Sequence, residues 1–341
     1  AVNEDSGQIS GNVITDNDGN GIDKDVDNGD TFTVSHVKTN NGHEGTVGHD
    51  LSGMYGTLKV NADGTYTYLI DNANANVQKL AVGEKITDEF SYKVTDSYGG
   101  VSNEAKLTIT ITGTNDVPVT KADIDSISED PASNKLTGSV LTNDSDVDAS
   151  DTLTVVKVNN NSSNVNGEVA GTYGTIKIKS DGTYEYTLNN GVNGDGGNIV
   201  QRLHKDEVVE DVFTYQVSDG HGGLSTSSVT IKITGTNDVP VATVNVNAVN
   251  EDSGQISGNV ITDNDGNGID KDVDNGDTFT VSHVKTNEGH EGSVGHDLSG
   301  MYGTLKVNAD GTYTYLIDNA NVQKLAVGEK ITDEFSYKVT D

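Results

Sequence analysis

The sequence predicts an all-β chain: Greek-key β-sandwiches set in tandem as an elongated array. Three observations carry that prediction. First, the chain nearly contains itself. Asn3-Glu4-Asp5-Ser6-Gly7-Gln8-Ile9-Ser10 returns at 250–257, and residues 1–96 match 248–341 almost letter for letter. A more divergent copy lies between them, because Gly113-Thr114-Asn115-Asp116-Val117-Pro118-Val119 recurs at 235–241, a spacing of 122 residues. Self-similarity at a fixed period marks an array of modules. Second, apolar and polar residues alternate in short runs broken by Gly, Asn and Asp, the pattern of half-buried strands. Third, helix signals are poor: Gly makes up 40 of the 341 residues, and few segments carry apolar residues at helical spacing.

The elements follow in order. A strand is expected over Thr31–Lys38. The runs 57–60 and 65–70 are joined by Asn61-Ala62-Asp63-Gly64, with Leu58 and Val60, then Tyr66, Tyr68 and Ile70, alternating with polar neighbours. The Asp-Gly pair signals a hairpin because Gly accepts the positive φ of a tight turn; Asp181-Gly182 and Asp310-Gly311 repeat it. Further strands are expected over Glu89–Thr95, with Phe90, Tyr92 and Val94 on one face, and over Lys106–Thr112. Several short strands per hundred-odd residues describe a sandwich. Pro118 and Pro240, which fix φ and lack a donor, suit strand entries. The repeat sets three units at 1–117, 118–239 and 240–341, without a Gly/Ser linker between them. Ala1-Val2 aligns with Ala248-Val249, and Thr340-Asp341 with Thr95-Asp96, so the first unit is expected to lack its first strand and the third its last. The sequence reads as a window on a longer array, with end units expected to be less stable than the middle one or to be completed by a neighbour.

Composition narrows the function. With 53 acidic against 21 basic residues the formal charge is −32, which repels nucleic-acid phosphates and anionic lipid surfaces. No apolar stretch approaches the roughly 20 residues that span a bilayer, so no membrane insertion is expected. There is no cysteine, which excludes thiol catalysis and cysteine-zinc sites. An array of similar modules serves reach, valency or avidity rather than catalysis.

The acids sit in turn-like segments that recur from unit to unit. Asn115-Asp116 and Asn237-Asp238 mark the junctions; Glu4-Asp5, Glu129-Asp130 and Glu251-Asp252 follow the places where the chain enters each unit. Asp144, Asp146 and Asp148 lie between the first strands of the second unit, with Asp25, Asp27 and Asp272, Asp274 in the same place elsewhere. Asp96 and Asp219 precede the last strand. Loops gathered at one end of a sandwich can present the six to eight oxygens that Ca2+ takes. Asp96, Asn115, Asp116, Glu129 and Asp130 are assigned to the first junction, and Asp219, Asn237, Asp238, Glu251 and Asp252 to the second. The first unit adds Asp16-Asn17-Asp18-Gly19-Asn20-Gly21, with acids at Asp23, Asp25 and Asp27. Asp16, Asp18, Asn20 and Asp27 stand at positions 1, 3, 5 and 12 of a calcium loop of EF-hand spacing, but with Asp for Glu at the end and no flanking helices. Asp263, Asp265, Asn267 and Asp274 repeat it, and the second unit lacks the insert. The alternative is that Asp, Asn and Gly are simply turn formers.

Other signals point nowhere in particular. The glycines of His43-Glu44-Gly45-Thr46-Val47-Gly48-His49 preclude a zinc-presenting helix, and the Gly191–Gly197 run opens no helix that could cradle phosphate. Tyr66, Tyr68, Tyr184 and Tyr186 suit cross-strand packing better than a sugar platform.

Together the Glu-Asp openings, Gly11-Asn12-Val13-Ile14-Thr15-Asp16, Asp63-Gly64-Thr65-Tyr66, Phe90-Ser91-Tyr92-Lys93-Val94 and Gly113–Val119 resemble the VCBS repeat family, and the tail from Val94 through Pro118 resembles a cadherin ending. The resemblance implies tandem Ig-like/cadherin-like sandwiches of a large secreted bacterial surface protein of the RTX-adhesin type. It implies a non-enzymatic, calcium-stiffened extracellular stalk whose partners are its own neighbouring repeats, with copies of itself or a surface ligand reached through other domains. A glycan- or peptide-binding array and a self-assembling sheath are the alternatives.

Overall fold

Alternation decides the strands, and the positive-φ glycines decide where they turn. In the computed structural model, which describes residues 2–27, 29–191, 199–318, 320 and 322–341, the hairpin glycines Gly64, Gly182 and Gly311 stand at φ +83°, +81° and +82°. The Gly-rich run at 191–197 lies, after its first residue, outside the described residues.

The middle unit shows the full pattern. Its strands are β1 (Asp123–Ser128), β2 (Lys135–Ser139), β3 (Thr154–Val158), β4 (Val169–Ala170), β5 (Gly174–Ile178), β6 (Thr183–Leu188), β7 (Val208–Ser218) and β8 (Leu224–Thr234). They form two four-stranded sheets, β1-β8-β7-β3 and β2-β6-β5-β4. Every pairing in them is antiparallel except one: β1 runs parallel to β8. The inward residues of both sheets make one core around Ile176, Ile178, Tyr186, Phe213, Tyr215 and Ile231, all essentially buried. Burying each such side chain contributes about 1.5–3 kcal/mol, enough for a domain of this size to hold without disulfides.

A buried carboxylate also ties the sheets together. Asp211 on β7 accepts the Tyr186 hydroxyl from β6 at 2.7 Å and the backbone N–H groups of Thr172 and Tyr173 at 2.6 and 3.1 Å. Asp88 with Tyr68, and Asp333 with Tyr315, repeat the arrangement in the other units. Tyr68, Tyr184 and Tyr186 are buried as cross-strand packing predicts, and Tyr66 is partly so.

The first unit has two corresponding sheets, one of them extended to five strands by Glu44–Gly45, and its strand Lys85–Thr95 begins four residues before the expected Glu89. Only Val2–Asn3 represents the parallel first strand there, paired with Ile111 and Thr112. In the third unit the counterpart of Leu107–Thr112 is not in the sequence. The segment 241–250 accordingly makes no strand, Val244 and Val246 are 71% and 65% exposed, and Phe335, Tyr337 and Val339 are only partly buried.

Candidate metal centres at the unit junctions

Each junction is built from three pieces of chain. At the first, Glu4 comes from the first unit, Asn115-Asp116 from the connection, and Asp148 from the loop after β2. One carboxylate oxygen from each of Glu4, Asp116 and Asp148 lies within 4.8 Å of the others. The backbone holds the other oxygen of Glu4 and of Asp148: Thr114 N–H donates to Glu4 Oε1 at 2.7 Å, and Asp116 N–H to Asp148 Oδ2 at 3.0 Å. Glu4 Oε2, Asp116 Oδ2 and Asp148 Oδ1 are buried and receive no hydrogen bond. The second junction repeats this with Glu129, Asp238 and Asp274, where Asp238 N–H donates to Asp274 Oδ2 at 2.9 Å.

A second triad lies beside the first. Asp146, Asp151 and Asp219 form it at the first junction, and Asp272, Asp277 and Asp341 at the second. Asn115 Nδ2 donates to Asp219 Oδ2 at 2.9 Å, joining the connection to this group as well. Gly223 is required here, since a Cβ would fall 1.9 Å from Asp219 Oδ2. His221 Nδ1 stands 2.9 Å from Asp151 Oδ1 at the rim. Asp25, Asp27 and Asp30 form a fifth group, at the other end of the first unit, with Asp96 close enough to act on Asp30.

The electrostatics fit crowded, dry carboxylates. Burial, and then Asp130, Asp238 and Asp274, push Glu129 up to about 8. Burial, followed by Asp130, Asp274 and Asp272, pushes Asp238 up to about 6. Glu4, Asp116, Asp148 and Asp274 are raised as well, chiefly by burial. Asp219 is the exception. Burial works against its charge, but Asn115 and the N–H groups of His221, Gly222 and Gly223 outweigh it and hold the carboxyl low.

The assignment of acids to junctions is corrected in one respect. Glu129 and Asp130 belong to the second junction, not the first, and Asp219 to the first, not the second. Asp96 lies by Asp30, away from the first junction, and Glu251 and Asp252 line the far end of the third unit beside Ile317 and Gln323. The parallel pairing explains it. The first strand runs the length of the unit beside the last, so the Glu-Asp pair after it arrives where the chain leaves, and the loop before the last strand sits where the chain enters. Asp5 takes part at the first junction, accepting the Thr114 hydroxyl at 2.7 Å, and Asp130 does so at the second, accepting that of Thr236 at 3.3 Å.

The EF-hand-like loop does not gather into one ring. Asp16 accepts from Asn12 N–H at 2.6 Å and Asp18 from Asn20 N–H at 3.1 Å, while Asp25 and Asp27 turn to Asp30. Asp263 bonds Asn259, and Asp265 bonds Asn267 and Val246, in the third unit. What splits the loop is the acid at its eighth position. Asp23 reaches under Tyr92, and Asp270, nearly fully buried, takes Thr243 N–H at 2.6 Å and the Tyr337 hydroxyl at 3.1 Å. Asp144 holds the same place in the second unit, bonded to Lys121 N–H at 2.8 Å and contacting Tyr215, and so lies outside both triads. Sequence reasoning missed Asp30, Asp151, Asp277 and Asp341. The first three share a legible signal, Asp-x-Asp-x2-Asp, and Asp341 is the counterpart of Asp96.

The donors present are carboxylate and amide oxygens, several of them buried without a partner. That set fits a hard divalent cation of the Ca2+ type and suits zinc poorly. A family model described as bacterial cadherin-like domain matches the chain three times, at 1–113, 115–235 and 237–341. The chain belongs to the bacterial cadherin-like domain family. Among curated proteins it is similar to a calcium-binding lectin, RapA2, of Rhizobium johnstonii, at 30% identity over 193 residues, covering 55% of this chain and 75% of that one. Among solved structures, the cadherin-like chain is similar to human CDH23 EC21-23 at 15% identity and TM-score 0.43, covering 85% of this chain and 79% of that one. It is similar also to mouse Protocadherin-24 EC1-3, at 14% identity and TM-score 0.38, covering 86% and 92%.

Proposed function

We propose that the chain is part of a calcium-stiffened stalk, in which repeats bounded at 117/118 and 239/240 extend a bacterial surface adhesin or biofilm protein away from the cell. The observation that carries this reading is the triad that draws one oxygen from each of two units and their connection, Glu4, Asp116 and Asp148, with its copy at Glu129, Asp238 and Asp274. A divalent cation there would neutralise acids that otherwise repel one another, and would fix the angle between units. Its binding would stabilise the folded chain by mass action. The sequence motifs further support VCBS-type repeats of an RTX-type secreted protein, and no described helix is long and apolar enough to cross a membrane. The role is structural rather than enzymatic. Small-angle scattering and thermal melting in calcium and in chelator test the reading; identical profiles and melting temperatures would end it.

A second reading, a glycan-binding array, is favoured by one observation, the similarity to a calcium-binding lectin. A glycan array probed with the calcium-loaded chain separates the two: saturable binding of a defined sugar supports the lectin reading, and its absence leaves the stalk.

A further inference from the structure

The two strands that carry the chain into and out of the middle unit are neighbours. β1 begins at Asp123, seven residues after the junction acid Asp116, and β8 ends at Thr234, directly before Gly235–Asp238 leads into the third unit. They pair in parallel over their shared length, from Asp123 opposite Val229 to Ser128 opposite Thr234. The ladder extends one residue further, where Glu129 N–H donates to Thr234 O at 2.9 Å. On its other side β8 is held by eleven antiparallel pairs to β7, whereas among the described residues β1 is an edge strand with no other strand beside it.

This geometry determines how the unit meets tension. A pull along the array enters at the start of β1 and leaves at the end of β8. Because the strands are parallel, the pull drags them past one another, and all the backbone bonds between them are loaded together. Had they been antiparallel with adjacent ends, the same pull would open the bonds one at a time. Sliding is also opposed by the core. Ile127 of β1 is buried in the same core as Val229, Ile231 and Ile233 of β8, and a slip of one residue turns the inward face of a strand outward. The first unit ends in the same way: Val2 and Asn3 pair in parallel with Ile111 and Thr112, and Glu4 N–H donates to Thr112 O at 3.0 Å. Glu4 and Glu129 thus have their N–H in this ladder and their carboxylates in the junction, so tension passing the connection arrives directly at the paired strands.

We infer that the unit is a tension-bearing element whose first and last strands form a shear clamp. The inference rests on the reading of the chain as a stalk and adds what each unit does when the stalk is pulled. The absence of cysteine allows a direct test on the full chain, because introduced thiols define where force is applied. Ala122→Cys with Val239→Cys, both at exposed positions, loads β1 against β8 in shear. Ala132→Cys with Val239→Cys, with Ala132 just beyond the other end of β1, peels the same strands apart from one end. In single-molecule stretching the shear pair should yield at a clearly higher force than the peeling pair and release roughly 35–40 nm of chain in one step, at about 3.3–3.6 Å per residue. Equal forces in the two geometries, or a shear pair that opens in small low-force steps, would overturn the clamp. A variant whose circular dichroism departs from the parent is replaced by moving its attachment from Ala122 to Lys121, or from Ala132 to Ser133. The difference is expected in chelator as well as in calcium. A chain whose scattering ignores calcium yet shows the force difference loses the stiffening reading and keeps the clamp; a chain that stiffens with calcium but shows equal forces does the reverse.

Discussion

The two junctions hold the same acids in the same places, yet the protein itself satisfies them to different degrees. At the first, Glu4 accepts Thr114 N–H, Asp5 accepts the Thr114 hydroxyl, and Asn115 reaches across to Asp219. At the second, Asn237 donates to Asp238 O at 2.7 Å as Asn115 does to Asp116 O, but both Glu129 carboxylate oxygens are buried without a hydrogen bond, and Glu129 is pushed up to about 8. A like-charged cluster can be relieved by donors, by protons or by a cation. The first junction leans on donors; the second leaves more to protons or metal.

The largest expected effect is that of calcium itself. At a free concentration a hundred times Kd, each site adds about 2.7 kcal/mol to the folded state, so chelation should lower the melting temperature by many degrees. Spin labels placed across each junction should broaden more at the second than at the first; equal broadening would break the comparison. Next comes Glu129→Gln, which removes the most strained charge. It should raise the stability of the chelated chain by roughly 1 kcal/mol, or about 4 °C, and abolish the gain on adding calcium at that junction. Glu4→Gln should do less on both counts, as read by calorimetry.

The pH dependence has a definite sign. Glu129 is raised from 4.5 to about 8 and Asp238 from 3.8 to about 6. The folded, metal-free state therefore holds protons that the unfolded chain has released, and its stability is lost as pH rises through these windows. Melting in chelator should fall steadily between about pH 4.5 and 8. In calcium, which needs the carboxylates charged, it should rise over the same range; parallel curves would argue against metal at these acids. The smallest effect is expected for Asn115→Ala, which removes a donor from Asp219 and makes the first junction resemble the second. A loss of about 0.5 kcal/mol in chelator is expected, shrinking when calcium is added.

Much of this was legible in advance. The Tyr66–Tyr68–Ile70 alternation and the Asp63-Gly64 turn fix two strands and their hairpin without reference to anything distant. The recurrence of Asp-x-Asp and Asn-Asp likewise marks the junction acids, because local chemistry repeats wherever the segment does. Asp144 and the loop from Asp16 to Asp27 were not legible in the same way. The loop has calcium-loop spacing and Asp144 continues the Asp-x-Asp pattern, and only the position of Tyr215 or Tyr92, some seventy residues away, diverts an acid into a hydrogen bond instead.

By itself, then, the sequence determined the module, its period, its strands and turns, and the kinds of side chain that meet at each boundary, since all of these follow from residues near one another in the chain. The tertiary structure alone decided which boundary each acid serves. That depends on the direction of one strand pair: because the first strand runs parallel to the last, Glu129 is carried the full length of its unit to meet Asp238, and Asp219 is returned to meet Asn115.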